Sequence, residues 1–529
     1  LGVGGELMGR TIVQDVQPSF NGGLNLTADP SQVQPNQVRD AENGRLSEYG
    51  GIGKRLGTWR ITTAALGSGG PIQNGFTWNQ TSSRTILAVQ GGKLFTAPFV
   101  PPSLSATLVT NSSQEITTEA GVTLTTESPY SAFTDQGGTM SSTATPSFAA
   151  FLYSAPPDTE CVYIADGGPL NRWNGTTLTE NISSTPNVSF LRVYNQRLFG
   201  VSGTNQSVYY SDLNNGNSLG DGASGGGEAI IRTFGDQRTT ALAVSGSSLL
   251  IFHATGISKW TGFTQDDIAI GAGSQGVTSE VGTTAPFSVV EVAGNVFFLA
   301  NNGFYVVSDN SAPQSISTPI DTLIRTWSDA DMQDVRGVHV RQYQEVRWWI
   351  PNYGVLVYNY RLNAWSGPWT GGYLNPATTC LFESQDTNGK FVAMRGDELG
   401  WLTLSDPDGI YLDNLSTDAT GGQEFTLAFQ PHRFFANDYM AEKAYRWGYL
   451  LMDPRGTTDV TVTWNTQTGT GTYTIDPAAL AVSERVMERV PLANRGEWID
   501  LTIEDSGEAD ALYSRVEIQG FSMGRRGGT

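Results

Sequence analysis

From about residue 72 onward, the chain repeats one arrangement of apolar and polar positions. Each unit has a short apolar strand, a turn that contains Gly, and a second apolar strand that carries an aromatic residue. Two apolar strands separated by such a turn are typical of a β-hairpin. The pattern predicts seven hairpins, at residues 86–95, 162–175, 198–210, 249–260, 296–307, 347–358 and 391–402.

After the first, the hairpins recur roughly every 35–50 residues, which is the period of propeller blades. A blade cannot bury both of its faces alone, so several blades must stack around an axis. The spacing therefore favours an all-β fold built on an irregular β-propeller at residues 61–420. The alternative is a set of unrelated hairpins packed in sandwiches.

Two segments interrupt the series. Residues 99–147 are rich in Ser and Thr and contain few large apolar residues, so they are predicted to be an inserted loop or a small β extension. Residues 212–227 are rich in Gly and Asn and are predicted to be a loop.

One helix is predicted near residue 320. Thr318 can cap it, and Pro319 suits its first position. Its apolar face is formed by Ile320, Leu323, Ile324 and Trp327. We expect this helix to pack as a clip on the neighbouring sheet.

Beyond residue 420 the pattern changes to strict alternation. Val460, Val462 and Trp464 alternate with polar residues, and the same pattern recurs at residues 499–504. Alternation of this kind indicates half-buried antiparallel strands. Together with apolar segments at 425–429, 449–452 and 516–521, it predicts a C-terminal β-sandwich at residues 421–529.

The first 60 residues differ from the rest and are predicted to form an N-terminal extension that serves assembly. Within them, residues 36–42 follow Pro35 and precede Asn43-Gly44, and this pattern favours one or two helical turns. Exposed blade edges must be covered or paired, so we expect this extension or the sandwich to cover such edges or to bridge neighbouring subunits.

Composition and charge limit the function classes. The chain has 62 Gly, 24 Pro and only 16% charged residues, which favours short strands joined by tight turns. Its 51 acidic and 31 basic residues give a net charge of −20. A surface of that balance does not hold nucleic acid through its phosphates. The N-terminus lacks a secretion signal and no apolar run has membrane-spanning length, so we expect synthesis in the cytoplasm.

The sequence singles out no catalytic, cofactor-binding or metal-ligating residue, and we expect no enzyme activity and no cofactor. The three His residues lie far apart, and no nucleophile, phosphate-loop or zinc motif is present. Cys161 and Cys380 are predicted to be free buried thiols, with one long-range disulfide as the alternative.

The sequence contains three weaker signals of ligand binding. Oxygen ligands occur at short spacing in residues 212–221 and 406–409; they could bind calcium, but solvated turns are more common. Residues 211–216 partly resemble the structural turn of sialidase propellers. Exposed aromatics such as Trp348, Trp365 and Trp369 could stack on sugars, although such residues more often belong to the core.

The chain resembles the hub or nozzle proteins of short-tailed bacteriophage tails, including the group called tail tubular protein B. The N-terminal part of the resemblance consists of residues 20–25 (FNGGLN), Asp29-Pro30, Asn43 and residues 54–58 (KRLGT). Further similar segments follow at 289–305 with Pro319-Ile320, at 348–366, and from Arg495-Gly496 to Arg525-Arg526.

The resemblance implies a structural virion protein that forms a ring, usually of six copies, in the viral tail. Such a ring attaches to the portal through a tail adaptor protein and continues the channel for DNA ejection. It closes the channel until adsorption, contacts the host envelope at its distal tip, and anchors tail fibres or spikes. Double-stranded DNA would pass through the lumen without specific binding. The alternative function is a receptor-binding or polysaccharide-cleaving phage propeller.

Overall fold

The computed structural model describes residues 12–80, 83–98, 132–153, 159–235, 237–262, 274–309, 311–385, 391–407, 411–414, 422–436, 439–454, 459–476, 485–506 and 511–525. Strands dominate this part of the chain, and the few helices in it are short. None of these helices has the length and apolar character needed to cross a membrane.

The strands fall into three groups along the chain. The N-terminal group is β1 Ile12–Gln17, β2 Gly23–Leu24, β3 Gln37–Glu42, β4 Gly44–Leu46, β5 Ile52–Lys54 and β6 Thr58–Arg60. The central group is β7 Ile72–Asn79, β8 Arg84–Gln90, β9 Lys93–Pro98, β10 Thr134–Asp135, β11 Ser147–Tyr153, β12 Thr159–Ala165, β13 Asn171–Trp173, β14 Leu178–Thr179, β15 Phe190–Tyr194, β16 Arg197–Val201, β17 Ser207–Tyr210, β18 Gly227–Ile230, β19 Thr239–Ser245, β20 Ser248–His253, β21 Ile257–Trp260, β22 Ser274–Thr278, β23 Val290–Val292, β24 Asn295–Ala300, β25 Gly303–Ser308, β26 Gln314–Ser315, β27 Arg336–Val340, β28 Glu345–Ile350, β29 Gly354–Asn359, β30 Ala364–Trp369, β31 Thr378–Gln385, β32 Phe391–Asp397 and β33 Leu402–Ser405. The C-terminal group is β34 Leu427–Pro431, β35 Ala441–Pro454, β36 Val460–Thr466, β37 Gly469–Ile475, β38 Val486–Gly496, β39 Ile499–Asp505 and β40 Ala511–Arg525.

The central strands form seven four-stranded antiparallel sheets, which are the blades of a propeller. Blades 1 to 6 each take four consecutive strands, from β7–β10 to β27–β30. The predicted hairpins coincide with the two middle strands of the blades. Blade 7 differs in part, because its third strand, β33, begins only at Leu402, where the predicted hairpin at 391–402 ends. The predicted propeller fold is therefore confirmed, and each hairpin is one half of a blade.

The first strand of each blade lies at the propeller axis. These strands contact one another in the order β7, β11, β15, β19, β23, β27 and β31, and β31 returns to β7. A closed circuit of first strands places the fourth strands at the outer rim.

Blade 7 is completed by a strand from the other end of the propeller sequence. Its first three strands are β31, β32 and β33, and its fourth strand is β6. Thr58, Trp59 and Arg60 pair antiparallel with Ser405, Leu404 and Thr403. The two ends of the circular array are thus joined by main-chain hydrogen bonds.

The remaining strands form two six-stranded sheets that pack face to face. Sheet A has the order β38-β35-β40-β5-β4, with β1 also paired to β40, and sheet B has the order β2-β3-β34-β39-β36-β37. The strands predicted near Val460 and Ile499 are present as β36 and β39. Five N-terminal strands complete these sheets, so the structure places residues 12–54 inside the sandwich rather than in a separate extension.

The helical interpretation of residues 36–42 is wrong. Gln37–Glu42 is strand β3, which pairs with β34 and buries Val38 and Ala41 completely. The partner strand lies almost 400 residues away, so the local turn signals could not reveal it. Tertiary pairing overrides weak local helix signals of this kind.

The predicted helix is present but begins differently. Thr318–Ile320 forms a 3-10 turn, which continues as helix α1 at Asp321–Ile324, and Ser317 rather than Thr318 occupies the N-cap. Ile320, Ile324 and Trp327 are buried as expected. A second helix, α2 at Asp329–Gln333, follows with a Ser328–Asp331 capping box that the sequence analysis missed.

The predicted insertion at 99–147 begins after the third strand of blade 1, includes the fourth strand, and ends at the first residue of blade 2. Residues 99–131 fall outside the described residues. The remainder supplies β10, which pairs with β9 as the outer strand of blade 1.

Candidate functional site: the junction of propeller and sandwich

The sandwich is attached to the outer rim of blade 6. Strands β2, β3 and β4 contact β30, the outermost strand of that blade. One continuous hydrophobic cluster extends from blades 5 and 6 and the α1 region into both sheets of the sandwich. The N-terminal residues that carry the family resemblance lie at this junction.

The FNGGLN segment contacts both sheet B and the outermost strand of blade 6. Phe20 is fully buried and meets Phe429 of sheet B edge to face at 5.5 Å. Gly23 has φ +66°, and a Cβ at this position would lie 2.5 Å from the carbonyl oxygen of Trp365 in β30. Only glycine therefore allows the chain to turn so close to blade 6.

Asn43 connects three parts of the junction. It adopts a left-handed conformation with φ +54°, which asparagine tolerates better than most residues. Its amide nitrogen donates to the Thr426 carbonyl at 2.9 Å, and its amide oxygen accepts from the Thr370 N–H at 2.9 Å and from Arg55 Nε at 3.0 Å. A single side chain thus joins sandwich, propeller and the KRLGT segment.

Arg55 is the centre of the first buried ion pair. Its Nη1 and Nη2 donate to the two carboxylate oxygens of Asp413 at 2.8 and 2.5 Å, and both side chains are 0% exposed. Arg55 also donates to the Thr370 carbonyl, and the Gly372 N–H donates to Asp413. Thr370 and Gly372 lie in the loop that leaves blade 6, and Asp413 lies in the segment that follows blade 7, so the pair anchors the N-terminal segment to both.

A second buried ion cluster joins blade 6 to sheet A and to the residue that follows β33 of blade 7. Arg347 donates to Glu345 at 2.8 Å and also to Asp406. Arg45 of β4 donates to both oxygens of Glu345 at 3.1 and 3.2 Å. Burial opposes the charge on Arg347, but Asp406 and Glu345 outweigh it and raise the pKa of Arg347. Sheet A is therefore linked to the propeller through this ion cluster.

Gly57 and Thr58, at the end of the KRLGT segment, lie where the chain leaves the junction and enters blade 7. A Cβ on Gly57 would lie 2.0 Å from the carbonyl oxygen of Leu412, so a larger residue has no room. The Thr58 hydroxyl accepts from the Asn414 N–H at 2.8 Å, and Thr58 begins the strand that closes blade 7. The KRLGT segment thus forms the ion pair with Asp413, passes close to the backbone of Leu412, and begins the strand that completes blade 7.

This arrangement suits a mechanical role better than a chemical one. Guanidinium groups stay protonated near neutral pH, so they hold carboxylates but do not transfer protons. Paired and hydrogen-bonded ions in a buried site fix geometry strongly, because displacing one partner leaves the other charge unpaired. The junction therefore holds propeller and sandwich in one relative orientation.

Comparison with known proteins gives likeness of structure alone. No protein-family model matches the chain, and no curated protein matches its sequence. The chain is similar to the WD40 domain of Pan2 from Neurospora crassa, with 10% identity and a TM-score of 0.39, covering 68% of this chain and 98% of that one. It is also similar to the extracellular domain of a hybrid two component system from B. thetaiotaomicron, with 9% identity and a TM-score of 0.40, covering 86% of this chain and 58% of that one.

The aromatics considered for sugar stacking are buried. Trp348, Trp365 and Trp369 are at most 1% exposed, and their indole N–H groups donate to the carbonyls of Ser288, Ile316 and Gly44. They belong to the core of blade 6 and its contact with the sandwich. They offer no surface on which a sugar could stack.

The oxygen-rich turns bind groups of the chain itself. Asp406, a candidate calcium ligand, is paired with Arg347 and lies 3.7 Å from Arg45. Asp221 accepts from the Ala223 N–H and the Ser224 hydroxyl within its own turn. Asp408 and Gly409 lie outside the described residues. In the part of the chain that the structure describes, no three His, Cys, Asp or Glu side chains come together as a metal site requires.

The cysteines and histidines are dispersed. Cys161 and Cys380 are free and buried, in blades 2 and 7. His253 contacts Ser258 at 2.8 Å within blade 4, and His339 contacts Tyr360 at 3.3 Å within blade 6. His432 lies in the sandwich, where it contacts Gln17 of β1 at 2.8 Å.

The attachment of β1 to the sandwich is predicted to weaken in acid. Asp15 accepts from the Phe435 and Ala436 N–H groups at 2.9 and 3.0 Å. Burial opposes ionisation, but His432 and these N–H groups outweigh it and lower the pKa of Asp15. A lowered pKa stabilises the fold above the unfolded-state pKa, and this stability is lost as pH falls through the folded-state pKa.

We therefore expect Asp15→Asn to remove part of the stability at neutral pH and to flatten its decline below about pH 4. Thermal melting of both proteins between pH 7 and pH 3 measures this. Equal differences between the two melting temperatures at all pH values would contradict it. Exposed Asp329→Asn is the control.

Proposed function

We propose that the chain is a structural subunit of a ring-shaped hub or nozzle in a short bacteriophage tail. The observation that carries the proposal is the position of the N-terminal family-like residues. Phe20, Gly23, Asn43, Arg55 and Gly57 all lie in the junction that locks propeller and sandwich together. A subunit that must transmit or resist force during DNA ejection needs such rigid coupling.

The net negative charge of the chain supports a conduit that does not bind DNA. Among the described residues, the buried charges comprise six cations, Lys54, Arg55, Arg197, Arg347, Arg395 and Lys443, and six anions, Glu345, Asp397, Asp406, Asp413, Asp505 and Glu517. These charges cancel, so the net charge of −20 is carried by the other residues of the chain, described and undescribed together. Six copies would carry 6 × 20 = 120 net negative charges, and an acidic lumen offers DNA phosphates no attractive sites.

In this proposal the chain is not an enzyme, and its partners are further copies of itself, a tail adaptor protein, tail fibres or spikes, and the host envelope. The DNA passes through the lumen of the ring, not along the axis of one propeller. The ring closes this lumen until adsorption and belongs to the tail of the virion.

Size-exclusion chromatography with light scattering, followed by negative-stain imaging, tests the proposal. We expect a hollow ring, formed by the purified chain alone or after addition of its adaptor. Incubation with host surface polysaccharide and analysis of the sugar products tests the alternative in parallel. A monomer that binds or shortens the polysaccharide would overturn the conduit in favour of a receptor-binding or cleaving propeller.

A further inference from the structure

The exposed apolar side chains of the protein are concentrated on the sandwich. Nine large apolar side chains are exposed among the described residues, and six belong to sheet A or its adjoining turns: Ile12, Tyr49, Tyr439, Met440, Met487 and Met523. Large apolar side chains that are exposed on one sheet make that sheet a candidate protein interface.

Strand register identifies the residues that surround Met487 on the outer face of sheet A. Tyr449 pairs with Arg489, and Leu451 pairs with Met487. Directly paired residues point to the same face of a sheet, and residues one position apart point to opposite faces. Because Leu450 and Val490 point into the buried core, Tyr449, Leu451, Met487 and Arg489 point outward. We call these four residues the sandwich patch.

The outer edge of blade 3 carries acidic residues together with exposed apolar residues. Its last strand, β18, has no further strand beside it among the described residues, and Glu228 and Ile230 on it are exposed. Leu213, in the loop before β18, is 48% exposed. Residues 211–230 contain three acidic residues and no Lys or Arg. We call Leu213, Glu228 and Ile230 the blade-3 edge.

The two surfaces are complementary in charge and separate in position. The sandwich patch contains one cation, Arg489, and no carboxylate, whereas the blade-3 edge contains the exposed Glu228. The sandwich is attached at blade 6, and the circuit of first strands places two blades between blades 3 and 6 on one side and three on the other.

We propose that the sandwich patch of one copy binds the blade-3 edge of the next copy. This inference rests on the proposed function, because a closed ring requires a contact in which the front of one subunit meets a different surface of its neighbour. Leu213 and Ile230 would bury apolar area against Tyr449, Leu451 and Met487. The acidic blade-3 edge would approach Arg489, and the contact would cover an exposed sheet edge.

Two variants, each with one surface disabled, test the contact. The sandwich variant carries Met487→Asp and Arg489→Asp, and the blade variant carries Leu213→Asp and Ile230→Asp. Each alone should be monomeric under conditions in which the wild-type chain forms rings. Mixed in equal amounts, they should form one-to-one dimers and nothing larger, because one intact contact remains between them. Native mass spectrometry distinguishes these species.

The control is Leu399→Asp, at an exposed position on blade 7 outside both surfaces, which should leave rings intact. Unchanged thermal melting of every variant would show that folding is preserved. Rings that persist in either double variant, dimers formed by the blade variant alone, or a mixture that stays monomeric would overturn the contact and leave the proposed function standing. A wild-type chain that forms no ring, even with its adaptor, would overturn both.

Discussion

Arg55→Met is expected to destabilise the protein by about 3–5 kcal/mol, because it leaves the Asp413 carboxylate buried without its cation. The two side chains share two hydrogen bonds and are 0% exposed. Arg55 also holds Asn43 and the Thr370 carbonyl, so the loss extends to three segments. Urea unfolding followed by tryptophan fluorescence should show the main transition at lower urea.

A surface ion pair provides the matched control. Arg361 and Glu48 also form an ion pair that joins blade 6 to the N-terminal segment, but both side chains are about half exposed. Arg361→Met should therefore cost roughly 0–1 kcal/mol. The double variant Arg55→Met with Asp413→Leu should recover part of the loss, because no unpaired charge remains. If Arg55→Met cost no more than Arg361→Met, the junction would not depend on this ion pair.

Removal of residues 1–60 is expected to abolish cooperative folding of the remaining chain. The deletion takes away the outer strand of blade 7 and five strands of the sandwich. It exposes the edges of β33 and β34 and uncovers apolar residues such as Phe429 and Trp365. Residues 61–529 expressed alone should aggregate or melt without a sharp transition.

Co-expression of residues 1–60 as a separate chain tests the reason for this loss. The short chain should restore solubility and remain bound during purification, since its strands supply the missing hydrogen bonds. A short chain with Gly23→Val and Gly57→Val should fail, because both side chains would collide with backbone atoms. A fragment 61–529 that folded with a sharp transition unaided would contradict the structural role of these strands.

The blades were predictable from sequence because their signals are local. In blade 6, Tyr353-Gly354 lies between two apolar runs, and the turn and both strands lie within about fifteen residues. The outer strands were not predictable in this way. Thr58–Arg60 pairs with residues more than 340 positions away, and nothing near it indicates that partner.

Only part of the junction could be predicted from the sequence. The KRLGT segment stood out through its resemblance, but its carboxylate partner could have been any of 51 acidic residues. Asp406 attracted attention as a possible calcium ligand, because oxygen spacing alone does not distinguish a metal from a guanidinium. The pairing became evident only when the fold brought blades 6 and 7 against the N-terminal strands.

A cryo-electron microscopy map of the assembled tail ring, with this chain fitted into it, tests the central claim most directly. The account predicts several copies around an open passage, seven-bladed propellers joined rigidly to their sandwiches, and mainly Asp and Glu on the wall of the passage. A map that showed a strongly basic passage, or an isolated molecule with a substrate cleft in place of a ring, would contradict it.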